Sequence, residues 1–240
     1  MRAREWHCGP FDFDLATPLV MGICNVTPDS FSDGGMHATA SEALEHAKRL
    51  IAAGADIIDV GGESTRPGAE EVPPEVEIAR VLPVVRELAS HGVAVSVDTR
   101  HAFVAEACVD AGACIVNDVS GFRSADMREV AARGDAGLVV MHMRGTPKTM
   151  QEAPTYDDVV HEVEQEMMRM VTRLTTEGVE PGRICLDVGI GFLGGQAAVV
   201  SPEDQVEGHR LLALGHALAA VDIEEGDVLQ QALGPLADGL

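Results

Sequence analysis

Residues 41–63 read SEALEHAKRLIAAGADIIDVGGE, and the order of features in that stretch decides the fold. Ala43, Leu44, Ala47, Leu50 and Ile51 recur at helical spacing and give residues 41–53 one apolar face. Ser41 has the side chain of an N-cap, and Gly54 supplies a residue that can end the helix in the left-handed conformation. Residues 56–60 (DIIDV) then form a short run in which Ile57, Ile58 and Val60 put apolar side chains on both faces, as expected of a strand buried on both faces. The exit from that run is polar: Asp59 lies near its end and Glu63 follows Gly61 and Gly62.

The same unit recurs in both directions along the chain. Apolar runs fall at 19–24, 56–60, 93–97, 113–117, 137–141 and 184–188. Helix-like segments alternate with them at 41–53, 74–89, 101–110, 125–132 and 156–176. Buried strands alternating with helices predict a parallel sheet wrapped by helices. At or just after the end of each run stands a polar side chain: Asn25, Asp59, Asp98, Asn117 with Asp118, His142 and Asp187. A β/α barrel gathers its chemistry on that face from every strand, whereas a doubly wound sheet gathers it at one crevice. The pattern therefore predicts an α/β fold of the TIM-type (β/α) barrel, with six recognisable parallel strands. The length of 240 residues suits such a barrel, which takes about 250.

Two segments fall outside the rhythm. In residues 1–18, short alternating runs flank Gly9-Pro10 and predict a hairpin that plugs the N-terminal mouth of the barrel. Residues 193–240 contain a helix-like run at 206–221 and no recognisable strand. The expected organisation is thus a hairpin at 1–18, a barrel at 19–192 and an acidic tail at 193–240, with the barrel incomplete.

The formal charge of −22 argues against nucleic acid and anionic membrane surfaces as partners. No apolar run approaches the ~20 residues of a membrane span. The basic N-terminus has no apolar stretch behind it, so a cytoplasmic location is expected. Five cysteines, with no Cys-x-x-Cys pair, read as buried reduced thiols.

Six strings carry the candidate chemistry. MGICNVTPDSFSDGG (21–35) leaves a strand into a loop rich in oxygen donors, a set that suits Mg²⁺. DVGGESTRPGA (59–69) turns sharply at Gly61-Gly62 and again at Pro67-Gly68, carrying Arg66 over an acidic face. SVDT (96–99), VNDVSG (116–121) and CLDVGIGF (185–192) each put a carboxylate or amide at a strand end. MHMRGTPKTMQ (141–151) adds Met141, suited to packing on a flat ring, and His142, read as pocket-lining or structural. Two carboxylates and an amide inside a barrel are what a heterocycle with an edge of N–H donors and acceptors requires.

The first two strings resemble the two signatures of dihydropteroate synthases, and the other four follow that family in order across residues 19–192. The resemblance implies condensation of 6-hydroxymethyl-7,8-dihydropterin diphosphate with p-aminobenzoate to give 7,8-dihydropteroate and pyrophosphate. By the same resemblance Asp98, Asn117 and Asp187 hold the pterin, with Met141 and Phe192 packing nearby. Phe31 and Pro67 wall the p-aminobenzoate site, and Asn25 serves a diphosphate-bound Mg²⁺. Asp33, Thr65 and Arg66 lie on the two loops that close over the site in that family, whose members form homodimers. After Phe192 the family continues with Gly-Lys, then Ser-Arg-Lys-Ser and Arg-x-His. This chain instead has Leu193-Gly194-Gly195-Gln196 and a tail whose residues 201–240 hold eight acidic side chains against one arginine. The expected lysine and Arg/His pair are therefore missing, which implies pterin binding with slowed turnover. Two other readings stay open: a pterin-binding pseudo-synthase, and a methyltetrahydrofolate corrinoid methyltransferase, whose barrel shares the strand-end Asp and Asn but lacks both loop signatures.

Overall fold

In the computed structural model, residues 5–27, 35–63, 71–143, 158–189 and 218–221 are described. The chain opens with an antiparallel hairpin, β1 (Glu5–Cys8) and β2 (Phe11–Asp14), turning at Gly9-Pro10. Then follow β3 (Leu19–Asn25), α1 (Gly35–Ala52), β4 (Ile57–Gly61), α2 (Pro74–Ser90), β5 (Val95–Asp98) and α3 (Ala102–Asp110). The series continues through β6 (Ile115–Asp118), α4 (Ala125–Arg133), β7 (Gly137–Met141), α5 (Val159–Thr176) and β8 (Ile184–Asp187). The last described element is β9 (Leu218–Val221).

Strands β3 to β9 form one parallel sheet in the order β8-β7-β6-β5-β4-β3-β9. Six of them come from consecutive βα units, as the polar strand ends predict, and the sheet curls as part of a barrel. β9 is a correction. Residues 218–221 belong to the helix-like run at 206–221, yet they pair in parallel with β3, Leu19 opposite Leu218 and Gly22 opposite Val221. Leu-Ala-Ala-Val suits either state, and the outer edge of β3 offers unpaired backbone groups that a fourth-neighbour helix pattern cannot use. A second correction concerns α1. It begins at Gly35, so Ser41 lies in its second turn and caps nothing. Its end is as expected: Gly54 takes φ +104° and Ala55 N donates to Leu50 O at 3.0 Å.

Side chains alternate between the two faces of each strand. Ile58, Val60, Val95, Val97, Val116, Leu138 and Val140 face outward into the main core with the helices. Met21, Ile57, Ile115, Val139 and Cys185 face inward, where Trp6 and Cys8 of β1 complete a second core at the N-terminal ends of the strands. The hairpin is pinned there: Trp6 Nε1 donates to Arg183 O at 2.9 Å and Gly9 N to Asp135 O at 3.0 Å. The hairpin thus occupies the foot of the curl, which leaves the opposite face for the polar groups. All five cysteines are buried and none is in a disulfide bond.

Candidate active site

The inward positions change character towards the C-terminal ends of the strands. Along β4 they run Ile57, Asp59, Gly61; along β5 and β6, Ser96, Asp98 and Ile115, Asn117; along β7 and β8, Val139, Met141 and Cys185, Asp187. The parallel register sets these in rows. Ile23, Asp59 and Ser96 are neighbours in one row, and Asn25, Gly61, Asp98 and Asn117 in the next. Met141 stands beside Asp187 further round. The rim is held past the strand ends by Val26 N to Gly61 O (2.7 Å), Thr99 N to Asn117 O (3.0 Å) and His142 N to Asp187 O (2.8 Å).

Gly61 is what opens the rim. A methyl group placed there would sit 3.2 Å from Asn25 Oδ1 and 3.5 Å from Asp98 Oδ2. The absent side chain leaves an amide oxygen and a carboxylate oxygen facing one space. Below it, the buried Asp59 Oδ2 accepts from Asn117 Nδ2 at 3.1 Å, which orients the amide. Asp59 Oδ1 and the buried Ser96 Oγ complete no hydrogen bond, although the hydroxyl lies close enough to favour the ionised carboxylate. Burial dominates and raises the Asp59 carboxyl above the ordinary range.

Asp98 is raised further. Desolvation is the main cause, and the negative charges of Asp59, Glu77, Asp118 and Glu63 add to it. Asp187 is also raised by burial, against a backbone hydrogen bond from Gly189 N to its Oδ1 at 2.8 Å. Asp59, Asp98 and Asp187 thus share burial as the first cause of a raised carboxyl on the inward face, a perturbation common at functional sites. Asp118, although at a strand end, points the other way: it accepts from Ser120 N (2.8 Å) and Phe122 N (2.9 Å) and organises the turn behind β6.

Among the predicted site residues, Asn25, Asp98, Asn117, Met141 and Asp187 are thus brought to one rim. Asp33, Phe31, Thr65, Arg66, Pro67 and Phe192 lie outside the described residues. His142 is buried with Nε2 3.2 Å from Glu166 Oε2, a structural position behind Met141.

Sequence reasoning noted Asp59 at a strand end but did not place it in the site; its inward parity with Gly61 was the available signal. It missed entirely an ion-pair network beside the rim. His101 Nδ1 lies 2.6 Å from the buried Glu77 Oε2, and Arg100 donates to Glu63 Oε1 at 3.1 Å and reaches Glu71 at 2.8 Å. Glu63, Glu77 and His101 bring ligand atoms within 4.8 Å of one another, as a metal site would. The Arg100 guanidinium and His101 already supply partners for those carboxylates, so the group reads as a structural network. Asn25 Oδ1 and Asp98 Oδ2, which face each other across Gly61, are oxygens of the kind that a hard cation such as Mg²⁺ would take.

With that geometry in hand, the comparisons with known proteins are specific. The sequence profile of the family described as pterin binding enzyme matches residues 21–208. The dihydropteroate synthase of Neisseria meningitidis serogroup B is 46% identical over 194 residues, 80% of this chain and 68% of that protein. The dihydropteroate synthase of Escherichia coli K12 is 49% identical over 180 residues, covering 75% of this chain and 64% of that protein. Among solved structures, Xanthomonas albilineans dihydropteroate synthase with 4-aminobenzoic acid superposes with a TM-score of 0.77 at 38% identity, covering 96% of this chain and 82% of the other. Burkholderia cenocepacia dihydropteroate synthase complexed with 7,8-dihydropteroate gives 0.75 at 36%, covering 96% and 80%.

Proposed function

The chain belongs to the pterin binding enzyme family, and from that premise we propose that it is a dihydropteroate synthase. It condenses 6-hydroxymethyl-7,8-dihydropterin diphosphate with p-aminobenzoate and releases pyrophosphate. The observation that carries this reading is the single rim on which Asn25, Asp98, Asn117 and Asp187 converge beside Met141.

Asp98 and Asp187 accept from the N–H donors on the pterin edge, and Asn117, oriented by Asp59, supplies both a donor and an acceptor. Met141 packs against the ring face, with Phe192 contributing from beyond the described residues. The aryl amine nitrogen of p-aminobenzoate bonds to the pterin methylene carbon as the bond from that carbon to the diphosphate oxygen breaks, and the amine gives up a proton. The reaction asks for no protein nucleophile, because the electron-rich pterin stabilises positive charge developing at the methylene. What it asks for is correct placement and a dry pocket. In this reading Phe31 and Pro67 are assigned to the p-aminobenzoate side, and Asp33, Thr65 and Arg66 of the two signature strings to the reacting end. Asn25 would help hold Mg²⁺ at the diphosphate, where the ion neutralises charge on the leaving group.

A second reading has its own observation: Leu193-Gly194-Gly195-Gln196 follows Phe192 where the family continues with Gly-Lys. It makes the chain a pterin binder of low turnover. Two measurements on the purified chain separate the readings. Calorimetric titration with a pterin tests the site, and a coupled assay of dihydropteroate formation tests the reaction. A chain that binds pterin without turnover supports the second reading; one that binds no pterin sinks both.

A further inference from the structure

Outside the sheet, between the turn at residues 121–123 and α5, lies a cavity of about 170 Å³. Arg123, Arg128, Arg169 and Arg173 line it, together with Glu166 and Met170. Four of the chain's 17 basic residues converge there, in a protein of formal charge −22. That concentration runs against the composition and calls for a local reason.

Two of the four guanidiniums already have structural duties. Arg128 donates to both Glu177 carboxylate oxygens at 3.0 and 2.8 Å and to the carbonyls of Phe122 and Arg123. Arg123 donates to Met143 O and lies 3.7 Å from Glu166 Oε1. Arg169 and Arg173 differ. They are exposed, stand one helical turn apart on α5, and make no hydrogen bond or ion pair among the described residues. Arg173 lies in the last turn of α5, where the helix dipole alone favours a cation, but that account does not extend to Arg169. With Glu177 matched to Arg128 and Glu166 shared between Arg123 and His142, Arg169 and Arg173 have no carboxylate partner at the cavity among the described residues.

We propose that this cavity is a binding site for an oxyanion of the phosphate class, distinct from the pterin rim. Guanidinium groups present planar forks of N–H donors that match phosphate oxygens two at a time, and four around one small cavity suit a multiply charged tetrahedral anion. The negative charge elsewhere on the chain does not forbid this. At physiological ionic strength the screening length is about 8 Å, so the nearby arginines set the local field. The cavity is too small for a macromolecular segment and has room for phosphate or diphosphate.

The site requires neither catalysis nor a metal, so its test stands apart from the assay of dihydropteroate formation. Inorganic phosphate and inorganic diphosphate are titrated calorimetrically into the full chain at physiological ionic strength in EDTA. Binding of at least one is expected, weakening steeply with added NaCl. The double variant Arg169→Ala/Arg173→Ala, which alters exposed side chains, is expected to weaken it at least tenfold. The pair Arg169→Lys/Arg173→Lys should restore part of it, and Asn25→Ala should leave it unchanged. Equal anion affinity in wild type and the double alanine variant, with matching circular dichroism, overturns the proposal. So does the absence of binding by either anion, or loss of binding in Asn25→Ala alone.

Discussion

Asp98 stands among Asp59, Glu77, Asp118 and Glu63, and together with its own burial these charges hold its carboxyl well above the ordinary range. Two consequences oppose each other. Without ligand, the native state keeps a proton that the unfolded chain releases above about pH 3.9. Stability therefore falls as pH climbs from there through the raised value, and it stays lower above it. Asp98→Asn removes that penalty. It is expected to raise the apo melting temperature at pH 7, by about 2–4 °C per kcal/mol recovered, with little effect at pH 3. Thermal melts of both proteins across pH check this. The same substitution, like Asp187→Asn, is expected to weaken pterin binding by about 1.5–3 kcal/mol, one to two decades in affinity, because a charge-assisted hydrogen bond is lost. Ionised acceptors are what the pterin donors need, so binding should release protons and tighten as pH rises through the raised values. Calorimetry in buffers of different ionisation enthalpy measures that release, and proton uptake would refute the assignment. The strand-end positions of Asp98, Asn117 and Asp187 were legible because each follows an apolar run. The pairing of Asp59 with Asn117 was not, since 58 residues separate them and only the strand register brings them together.

Among the elements, the β1–β2 hairpin closes the foot of the curl, and Trp6 is its anchor, 1% exposed and bonded to Arg183 O. Arg183 is itself buried and donates to the carbonyls of Ala131 and Ala136. Trp6→Ala leaves a cavity at that junction and is expected to cost about 3–5 kcal/mol, read as a shift in the urea midpoint. Pterin affinity of the folded fraction should change little, because the rim lies at the opposite ends of the strands. A hairpin around Gly9-Pro10 could be read from alternation alone. β9 could not, because four residues of leucine, alanine and valine satisfy helix and strand patterns alike, and their pairing with β3 is a long-range choice. The network of Glu77 and His101 was equally hidden, since it depends on how the start of α3 meets α2.

For the whole molecule, the balance of charge bears on catalysis. A −22 chain in which Leu193-Gly194-Gly195-Gln196 stands where the family has Gly-Lys has few ways to meet a leaving diphosphate. Turnover is expected to require Mg²⁺ and to vanish in excess EDTA. Even with the metal it should fall at least a hundredfold below a family member that carries that lysine, assayed alongside, since one lost electrostatic stabiliser typically costs about 10²–10³ in rate. Equal turnover would mean that the tail supplies substitutes. The parallel sheet, its helices and its polar rim were legible from repetition of one βα pattern. The tail was not, because residues 193–240 carry neither that pattern nor the family's strings.

The buried cysteines turn the architecture into its own reporter of opening. Cys24 and Cys108 belong to the shell between sheet and helices, whereas Cys8, Cys114 and Cys185 meet under the hairpin. Burial lifts the Cys24, Cys108 and Cys185 thiols to about 12 and that of Cys114 to about 11, so almost no reactive thiolate exists near neutrality. A maleimide or disulfide reagent can then modify the chain only through excursions that wet one compartment or the other. Lifting of the hairpin would expose the lower three alone, and mass spectrometry of the labelled peptides would time that event separately from global unfolding.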